Sequence, residues 1–580
     1  MKDMANLNIK EDKELLPLNH SCAHLLAQAV KRLYPNTKFW VGPVITNGFY
    51  YDMDMGDVTL TESDFAKLEE EMKKISKEKL PIERKEISKK EAIELFKEDP
   101  YKEDLINNLE DGHITIYSQG DFTDLCRAPH ISNTKELKYF KLTKVSGAYF
   151  KGDSKNKMLQ RVYGICFNTK EDLKNYLDFI EEAKNRDHRR LGKDLELFTI
   201  SEYGPGFPIY LPYGQIVYRE LENFWYEEHF KHDYKFIQTP TMLNRKLWET
   251  SGHWDNYKEN MYTTKIEDET YAIKPMNCPG SAIVFASKLR SYRDLPLRLG
   301  ELGHVHRYEA SGALSGLFRV RAFTQDDAHI FITKDQIEKE IEDIFVLIDK
   351  MYKVFNLDYK IELSTRPEKF LGKLEDWDNA EDKLLGVLNR LNKPYKINPG
   401  DGAFYGPKID VQVIDSLGRE WQCATIQLDY QIPIRFDLNY IDEKGEKERP
   451  IIIHRVIYGS FERMMGILIE HYNGAFPTWL APVQVNILPI NNEYHLEDAL
   501  KLKEELKEKG VRVEVDDSDE KFNKRIRNSQ VRKIPLTIIV GDNEIKNEEI
   551  SYRVYGSKDT ITIKKEAFLN YIVKLIKERD

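Results

Sequence analysis

The sequence predicts a multidomain protein of mixed class, α+β in its first part and α/β in its last. Three observations carry that reading. The chain has 580 residues, past the size at which one hydrophobic core stops growing, which points to about three to five domains. Its middle holds two alternating runs around a small-residue turn, the mark of a long antiparallel hairpin. From VQVNILPI onward the pattern switches to strand, helix, strand, helix.

Taken in order, HSCAHLLAQAVKRLYP from His20 has the spacing of an amphipathic helix, with His20 and His24 one turn apart on one face. VGPVITNGFYYDMD reads as strands, and charged helices follow from Glu62 to Ser76 and from Lys89 to Lys97. DFTDLCRAPHI and a β-rich stretch to Gly164 complete an α+β domain over 1–168. EDLKNYLDFIEEAKNRDHRRL, Glu171 to Leu191, reads as one long connecting helix within 169–192, its charged side solvated.

The next domain, 193–480, opens with the helix GQIVYRELENFWYEEHFKHDYK and a strand that stops at Pro240. Strands and short helices lead to NPGDGAFYGPK, then to VQVIDSLGREWQCATIQLDY, expected as a strand, and IIIHRVIYGSFERMMGILIEHY, a strand entering a helix. The last domain, 481–580, has a helix with Gly510 just past its end and a basic helix from Lys521 to Lys533.

Hydrophobic residues at 41% and charged residues at 32% describe an ordinary soluble chain. A net charge of −10 excludes a generic polyanion binder, so any nucleic-acid contact must come from local patches such as KFNKRIRNSQVRK, with six cations and no acid. Five scattered cysteines fit reduced thiols better than a disulfide framework. The N-terminus lacks the apolar core of a signal peptide and no later run has membrane-spanning length, so the expectation is a cytoplasmic protein without a membrane partner.

The hairpin is the most informative stretch: LGELGHVHRYEASGALSGLFRVRAFTQDDAHIF, Leu299 to Phe331. Alternation on a strand puts Arg319, Arg321, Phe323, Gln325, Asp327 and His329 on one face, with Arg307 and Glu309 beside them on the partner strand. An arbitrary polar row is a solvated sheet edge. This one grades from anion binders through a flat ring to a metal or hydroxyl binder, and would fit a ligand with phosphates, a base and a small polar group.

HRYE, a turn and GLFRVRAFTQDDAHIF resemble motif 2 of a class II aminoacyl-tRNA synthetase of the threonyl family, and GSFERMMG resembles motif 3. The resemblance runs from about residue 15 to 580. It implies an editing domain, a class II antiparallel-sheet catalytic domain and an anticodon-binding domain, in that order. The implied activity is formation of threonyl-adenylate from threonine and ATP with Mg2+, transfer to tRNA(Thr), and editing of seryl-tRNA(Thr). Motif 1, the helix and strand ending at Pro240, implies a homodimer.

By this resemblance Arg307 contacts the α-phosphate and Arg463 the γ-phosphate, Arg319 joins the phosphate set, Phe323 stacks on adenine, and Glu309 accepts from its amino group. Gln422 belongs with the ATP side. Gln325, Asp327, Tyr405 and Gln427 belong with threonine. His253, otherwise a structural histidine, matches a proton relay in the transfer step.

Cys278, His329 and His454 show no zinc spacing; alone, each reads as a core or sheet residue. The resemblance makes them ligands of one Zn2+ with an open position. An apolar pocket separates threonine from valine by only about a hundredfold, so a metal that reads the hydroxyl has a purpose. In the first domain, His20, His24, Cys126 and His130 admit a His3Cys zinc site or a Cys–His nucleophilic pair on spacing alone. The resemblance makes them editing residues, together with Lys102 and Asp124, that do not require a metal.

Glu544 and Arg553 match anticodon-reading positions. One departure is Asp519, before Glu520, where the family commonly has Asn; an acceptor-only carboxylate changes what can be read there. Another is that HSCAHLLA starts within twenty residues of Met1, implying a bacterial-type member without the ubiquitin-like N-terminal domain. Two rival readings are a non-catalytic RNA-binding paralogue, which the intact arginines and metal-type residues oppose, and a prolyl or seryl ligase, which the Cys278, His329, His454 set opposes.

Overall fold

The computed structural model describes residues 4–5, 7–110 and 114–579. The chain divides into two compact units, Met1–Glu182 and Ala183–Asp580. Among the described residues, no helix is long and apolar enough to cross a membrane.

The first unit is α+β, as expected. Its helix Leu15–Leu33 lies on an antiparallel sheet in the order Lys38–Phe39, Gly48–Asp54, Met158–Phe167, Tyr139–Tyr149. Leu15, Leu18, Leu25, Leu26 and Val30 are fully or almost fully buried in this interface. Asn19 clamps helix to strand: its amide donates to the Cys166 carbonyl at 2.9 Å and accepts from the Cys166 N–H at 2.9 Å. A second sheet, Glu83–Ile87, Ile114–Gln119 and Phe122–Leu125, supplies the other wall. The helix Pro100–Asn107 was not anticipated, although Asp99 as N-cap and Pro100 at the first position are a helix-start signal.

The helix expected from 171 to 191 is instead two. Lys170–Asn185 packs on the first unit's core through Tyr176, and Asp187 caps a new helix, His188–Asp194, by accepting from the Arg189 N–H at 2.8 Å.

The second unit is built on an eight-stranded sheet. In order its strands are Lys235–Phe236, Leu297–His306, Ala322–Ile332, Ile451–Val456, Glu420–Asp429, Lys408–Ile414, Asp358–Ser364 and Tyr395–Asn398. All pairings are antiparallel except the two outermost. The helices Pro212–Lys231, Ile337–Val354 and Phe461–His471 cover it and share one large core.

Two expectations are corrected here. The hairpin strands end at His306 and resume at Ala322, so Arg307, Glu309, Arg319 and Arg321 lie in the connecting loop and not on the strands. Gly316 at φ +49° and a tight turn at Ser311–Ala313 fold that loop back on itself. VQVIDSLGREWQCATIQLDY is a hairpin: Asp415 accepts from the N–H groups of Leu417 and Arg419 at 2.9 and 3.0 Å, and Gly418 takes φ +79°.

The C-terminal part has a separate core and a five-stranded sheet in the order Val513–Val515, Val485–Pro489, Leu536–Val540, Glu549–Val554, Ile561–Lys564. Its first three strands are parallel and the last two antiparallel, as the strand–helix alternation implies.

Candidate active site and a second polar cluster

The sheet brings the expected residues of the second unit together. Register pairs His329 with His454, and His454 with Gln427. Gln422 and Gln427 are five residues apart and by simple alternation would face opposite sides. A bulge sets this right: Asp410 pairs with Thr425 and Gln412 with Gln422, so Cys423 and Ala424 together face one residue of the neighbouring strand. Both glutamines therefore line one cavity of about 300 Å³ with Cys278, Arg307, Gln325, Asp327, His329, Tyr405 and His454. An adjoining cavity of about 490 Å³ is lined by Arg307, Glu309, Arg319, Phe323, Gln325, Gln422 and Arg463. Arg321 turns away, donating to the carbonyls of Glu309 and Pro205.

At the deep end, Cys278 opens the helix Cys278–Ala286, and its Sγ and one nitrogen each of His329 and His454 lie within 4.8 Å of one another. All three residues are buried. His454 Nε2 is 2.8 Å from Asp429, whose other oxygen accepts from the N–H groups of Gln431 and Ile432 at 2.6 and 3.0 Å. That fixes the ring and leaves Nδ1 for the cluster. Among the described residues, neither ring nitrogen of His329 has a hydrogen-bond partner, and the nearest carboxylate oxygen, of Asp327, is 4.0 Å away. Buried polar atoms are nearly always satisfied. A sulfur and imidazole nitrogens converging on one point, with an orphaned imidazole among them, fit a zinc ion.

Asp327 is held by the Asn277 amide at 3.1 Å, and burial raises its carboxyl above the usual range. Tyr405 donates to Gln427 Oε1 at 2.5 Å. His253 is fully buried beneath this wall, with Nδ1 at 2.8 Å from Ser251 Oγ and Nε2 at 3.6 Å from Cys278 Sγ. Burial, then His454 and Arg307, lowers it to about 3, so it is neutral.

At the outer end, Arg307 donates to the Pro275 carbonyl at 3.1 Å and sits over the Phe323 ring. Arg463, in the first turn of a helix capped by Ser460, donates to the Gln422 carbonyl at 2.8 Å. Arg319 is paired with Glu309 at 3.0 Å. Arg307 and Arg463, held by neutral carbonyls, keep their full charge for an anion.

The first unit gathers its own set. Cys126 Sγ is 3.2 Å from His20 Nε2 and 3.3 Å from His130 Nε2, and His130 Nδ1 is 3.0 Å from Ser21 Oγ. His24 Nε2 is 3.4 Å from Asp124, which also pairs with Lys102 Nζ and accepts from the Tyr51 hydroxyl. Burial lowers His20 to about 4, drives His24 and His130 down as well, and pushes the Cys126 thiol up to about 11. The histidines are neutral and the thiol is protonated, which opposes a Cys–His nucleophile. Lys102 and Asp124 line a cavity of about 390 Å³ that also touches Lys31, Lys38, Phe39 and Phe96.

Against known proteins, residues 262–472 match the family model for the tRNA synthetase class II core domain (G, H, P, S and T). Residues 484–575 match the anticodon binding domain, and 114–163 the threonyl and alanyl tRNA synthetase second additional domain. The chain is 54% identical to a threonine–tRNA ligase of Clostridium tetani over 97% of its own length and 90% of that protein. It is 55% identical to the one from Clostridioides difficile over 98% and 89%. The chain belongs to the threonyl-tRNA synthetase family. A crystal structure of the RNA binding domain of threonyl-tRNA synthetase from Cryptosporidium parvum superposes with a TM-score of 0.65 at 40% identity, over 67% of this chain and 98% of that one.

In threonyl-tRNA synthetase order, then, the chain is an enzyme with a class II core flanked by editing-type and anticodon-type domains. In the last of these, Glu544 accepts from the Gly541 N–H at 3.1 Å and from Ser551 Oγ at 2.8 Å. Arg553, two residues beyond Ser551 on the same strand face, donates to Thr560 Oγ1 at 2.9 Å. Asp519 is exposed.

Sequence reasoning missed several residues that complete these sites. Asp429 has a signal, being two positions after Gln427 on the same strand face. Lys408, which lines the first cavity and pairs with Asp410 at 2.5 Å, follows Tyr405 in the same segment. Asn277, Ser21 and Tyr51 act through partners distant in sequence and carried no signal.

Proposed function

We propose that the chain is a threonine–tRNA ligase that forms threonyl-adenylate from threonine and Mg–ATP, transfers threonine to tRNA(Thr), and hydrolyses seryl-tRNA(Thr) in its first unit. One observation supports this above the rest. The row Phe323, Gln325, Asp327, His329, half-buried at its first two positions and buried at its last two, runs continuously from a pair of arginines to a converging Cys and two His. A ligand that spans it needs phosphates at one end and a metal-binding amino acid at the other.

Arg307, Arg319 and Arg463 neutralise the triphosphate, with Phe323 under the base, Glu309 on its amino group and Gln422 at the junction of the two cavities. Adenylate formation asks the protein for placement and charge compensation more than for covalent chemistry. Asp327, anchored by Asn277, and the Tyr405–Gln427 pair shape the amino-acid end with Gln325. Cys278, His329 and His454 would hold Zn2+. When bound, the ion supplies an open position for the amino group and hydroxyl of the amino acid, which valine cannot fill. His253, neutral and buried, is assigned to the proton relay of the transfer step.

Serine keeps the hydroxyl and lacks only a methyl, so a second, hydrolytic site is the expected remedy. Of the neutral imidazoles, His20 is lowered least and is best able to take a proton from water, with His24 and His130 beside it, while Lys102 and Asp124 hold the ester end. The 3.2 and 3.3 Å contacts from Cys126 Sγ are shorter than the roughly 3.5 Å that tetrahedral ligands of one zinc ion keep. They support an internally bonded cluster that works without a metal.

The division into 1–168, 169–192, 193–480 and 481–580 follows this reading, with anticodon contacts from Glu544 and Arg553. Phe230, 75% exposed on the helix before Pro240, with Tyr226 and Phe236 near it, supports a homodimer through that face. A cytoplasmic location follows from the activity.

The test is ATP–pyrophosphate exchange with threonine, serine and valine, alongside metal analysis. Exchange with threonine and serine but not valine, and one zinc per chain, is expected. Absence of exchange with every amino acid would remove the ligase reading, and equal exchange with valine would remove the zinc account.

A further inference from the structure

His188, Glu470 and Asp187 form a third group of metal-type side chains, but both nitrogens of His188 are already engaged. Nδ1 lies 2.6 Å from Glu470 Oε1, and Nε2 accepts from the backbone N–H of Leu317 at 2.9 Å. A backbone N–H can only donate, so Nε2 carries no proton and Nδ1–H donates to the carboxylate. The tautomer is fixed by geometry. Glu470 is fixed in turn, accepting from the His188 N–H at 3.0 Å and from Arg419 Nη2 at 2.5 Å.

Leu317 belongs to the loop between the two hairpin strands. Its neighbours make the contact specific. Phe318 packs against the His188 ring at 4.2 Å between centroids and stacks on Trp421 at 4.1 Å. The Phe318 carbonyl accepts from Arg463 Nη2 at 3.4 Å. Ser315 N–H donates to the Arg319 carbonyl at 3.1 Å. Gly316, at φ +49°, passes so close that a Cβ there would stand 2.1 Å from His188 Nε2. The loop is therefore shaped to reach one imidazole nitrogen, and the residues flanking that contact carry Arg319 and receive Arg463.

We propose that His188, at the start of the helix that follows the connector, is a positioning residue for ATP: its Nε2 pins the loop at Leu317 and so sets Arg319 relative to Arg463. The chain Arg419, Glu470, His188, Leu317 is buried or half-buried throughout, and losing the acceptor leaves a buried N–H unsatisfied. This rests on the assignment of Arg319 and Arg463 to ATP.

The experiment is threonine-dependent ATP–pyrophosphate exchange by the full chain. His188→Ala should raise KM for ATP about tenfold, the cost of one unsatisfied buried donor, with KM for threonine unchanged. His188→Gln, which keeps an acceptor within reach of Leu317, should restore most of it. His188→Phe, which keeps a ring against Phe318 and has no acceptor, should not; this pair decides the matter if the alanine protein fails to fold. Gly316→Ala should show the same ATP defect and should add little to it when His188 is already Ala, because the pin is then gone and the clash relieved. A general loss of stability would move KM for threonine as well and would not follow the acceptor. Arg463→Ala with parental exchange would overturn the ATP assignment itself. Loss in Arg463→Ala together with a parental KM for ATP in His188→Ala and His188→Phe would overturn the role of His188 alone.

Discussion

The two Cys–His clusters use the same donor types and are opposites. In the first unit the donors turn toward one another: Cys126 bridges His20 and His130, Ser21 takes the far nitrogen of His130, and Asp124 takes His24. Among the described residues, His24 Nδ1 is the one fully buried ring nitrogen of this set without a partner. In the second unit the donors turn toward a common point. His454 is oriented from behind by Asp429, and among the described residues both nitrogens of His329 are without a hydrogen-bond partner. A donor inventory cannot tell a water-handling site from a metal site. What distinguishes them is whether the lone pairs are already spent on each other.

That contrast can be broken by chelation, which has the largest expected effect. Treatment with a zinc chelator should lower threonine-dependent exchange by at least about a hundredfold, since the ion itself is removed from its ligands, and leave deacylation of seryl-tRNA(Thr) unchanged. A parallel loss of both activities would show that the clusters are alike. The converse is the double variant His20→Ala, His24→Ala. Deacylation should fall by about a hundredfold, within the range of general acid–base contributions, with exchange preserved; deacylation at the parental rate would remove the editing assignment.

Asp429→Asn sharpens the comparison. It should weaken zinc binding by about 10–100-fold, as loss of a partner that orients a ligand does, measured by competition with a chromogenic chelator. No change would mean that His454 is held by its strand alone.

The smallest effect concerns a carboxyl outside both clusters. Glu462 is fully enclosed, accepts from the Thr324 N–H at 2.9 Å, and is pushed up to about 7 by burial, against an ordinary value of 4.5. A folded-state pKa above the unfolded one means stability that is complete below about pH 4.5 and is lost as pH rises through about 7. The second unit should lose about 1–3 kcal/mol over that window, and Glu462→Gln should flatten the slope in thermal melts taken along the pH series.

How much of this could be read from the residues depends on the range of the interaction. Element order, the C-terminal parallel strands and the facing of Phe323, Gln325, Asp327 and His329 are local consequences of period and turn chemistry, and they stand. The convergence of Cys278 with His329 and His454 came from resemblance, because strand register and a helix start more than fifty residues away set it. The errors have local causes. Arg319 and Arg321 fit an alternating pattern, but Gly316 ended the strand's reach, and the Asp415 turn hid inside a long apolar run. The break at Asp187 was legible as a cap and was overridden by helical charge spacing on either side.

The doubled position at Cys423 and Ala424 has a consequence for sequence editing. It acts as a parity switch: upstream of it even-numbered residues face the cavity, downstream odd-numbered ones do. Straightening the strand at constant length would transfer Gln422 to the hydrophobic layer with no functional side chain touched, whereas deleting the small, buried Ala424 leaves Gln422 and Gln427 four positions apart and on one face. Insertions and deletions at this step should therefore be scored by the face they reassign, not by the residue they remove.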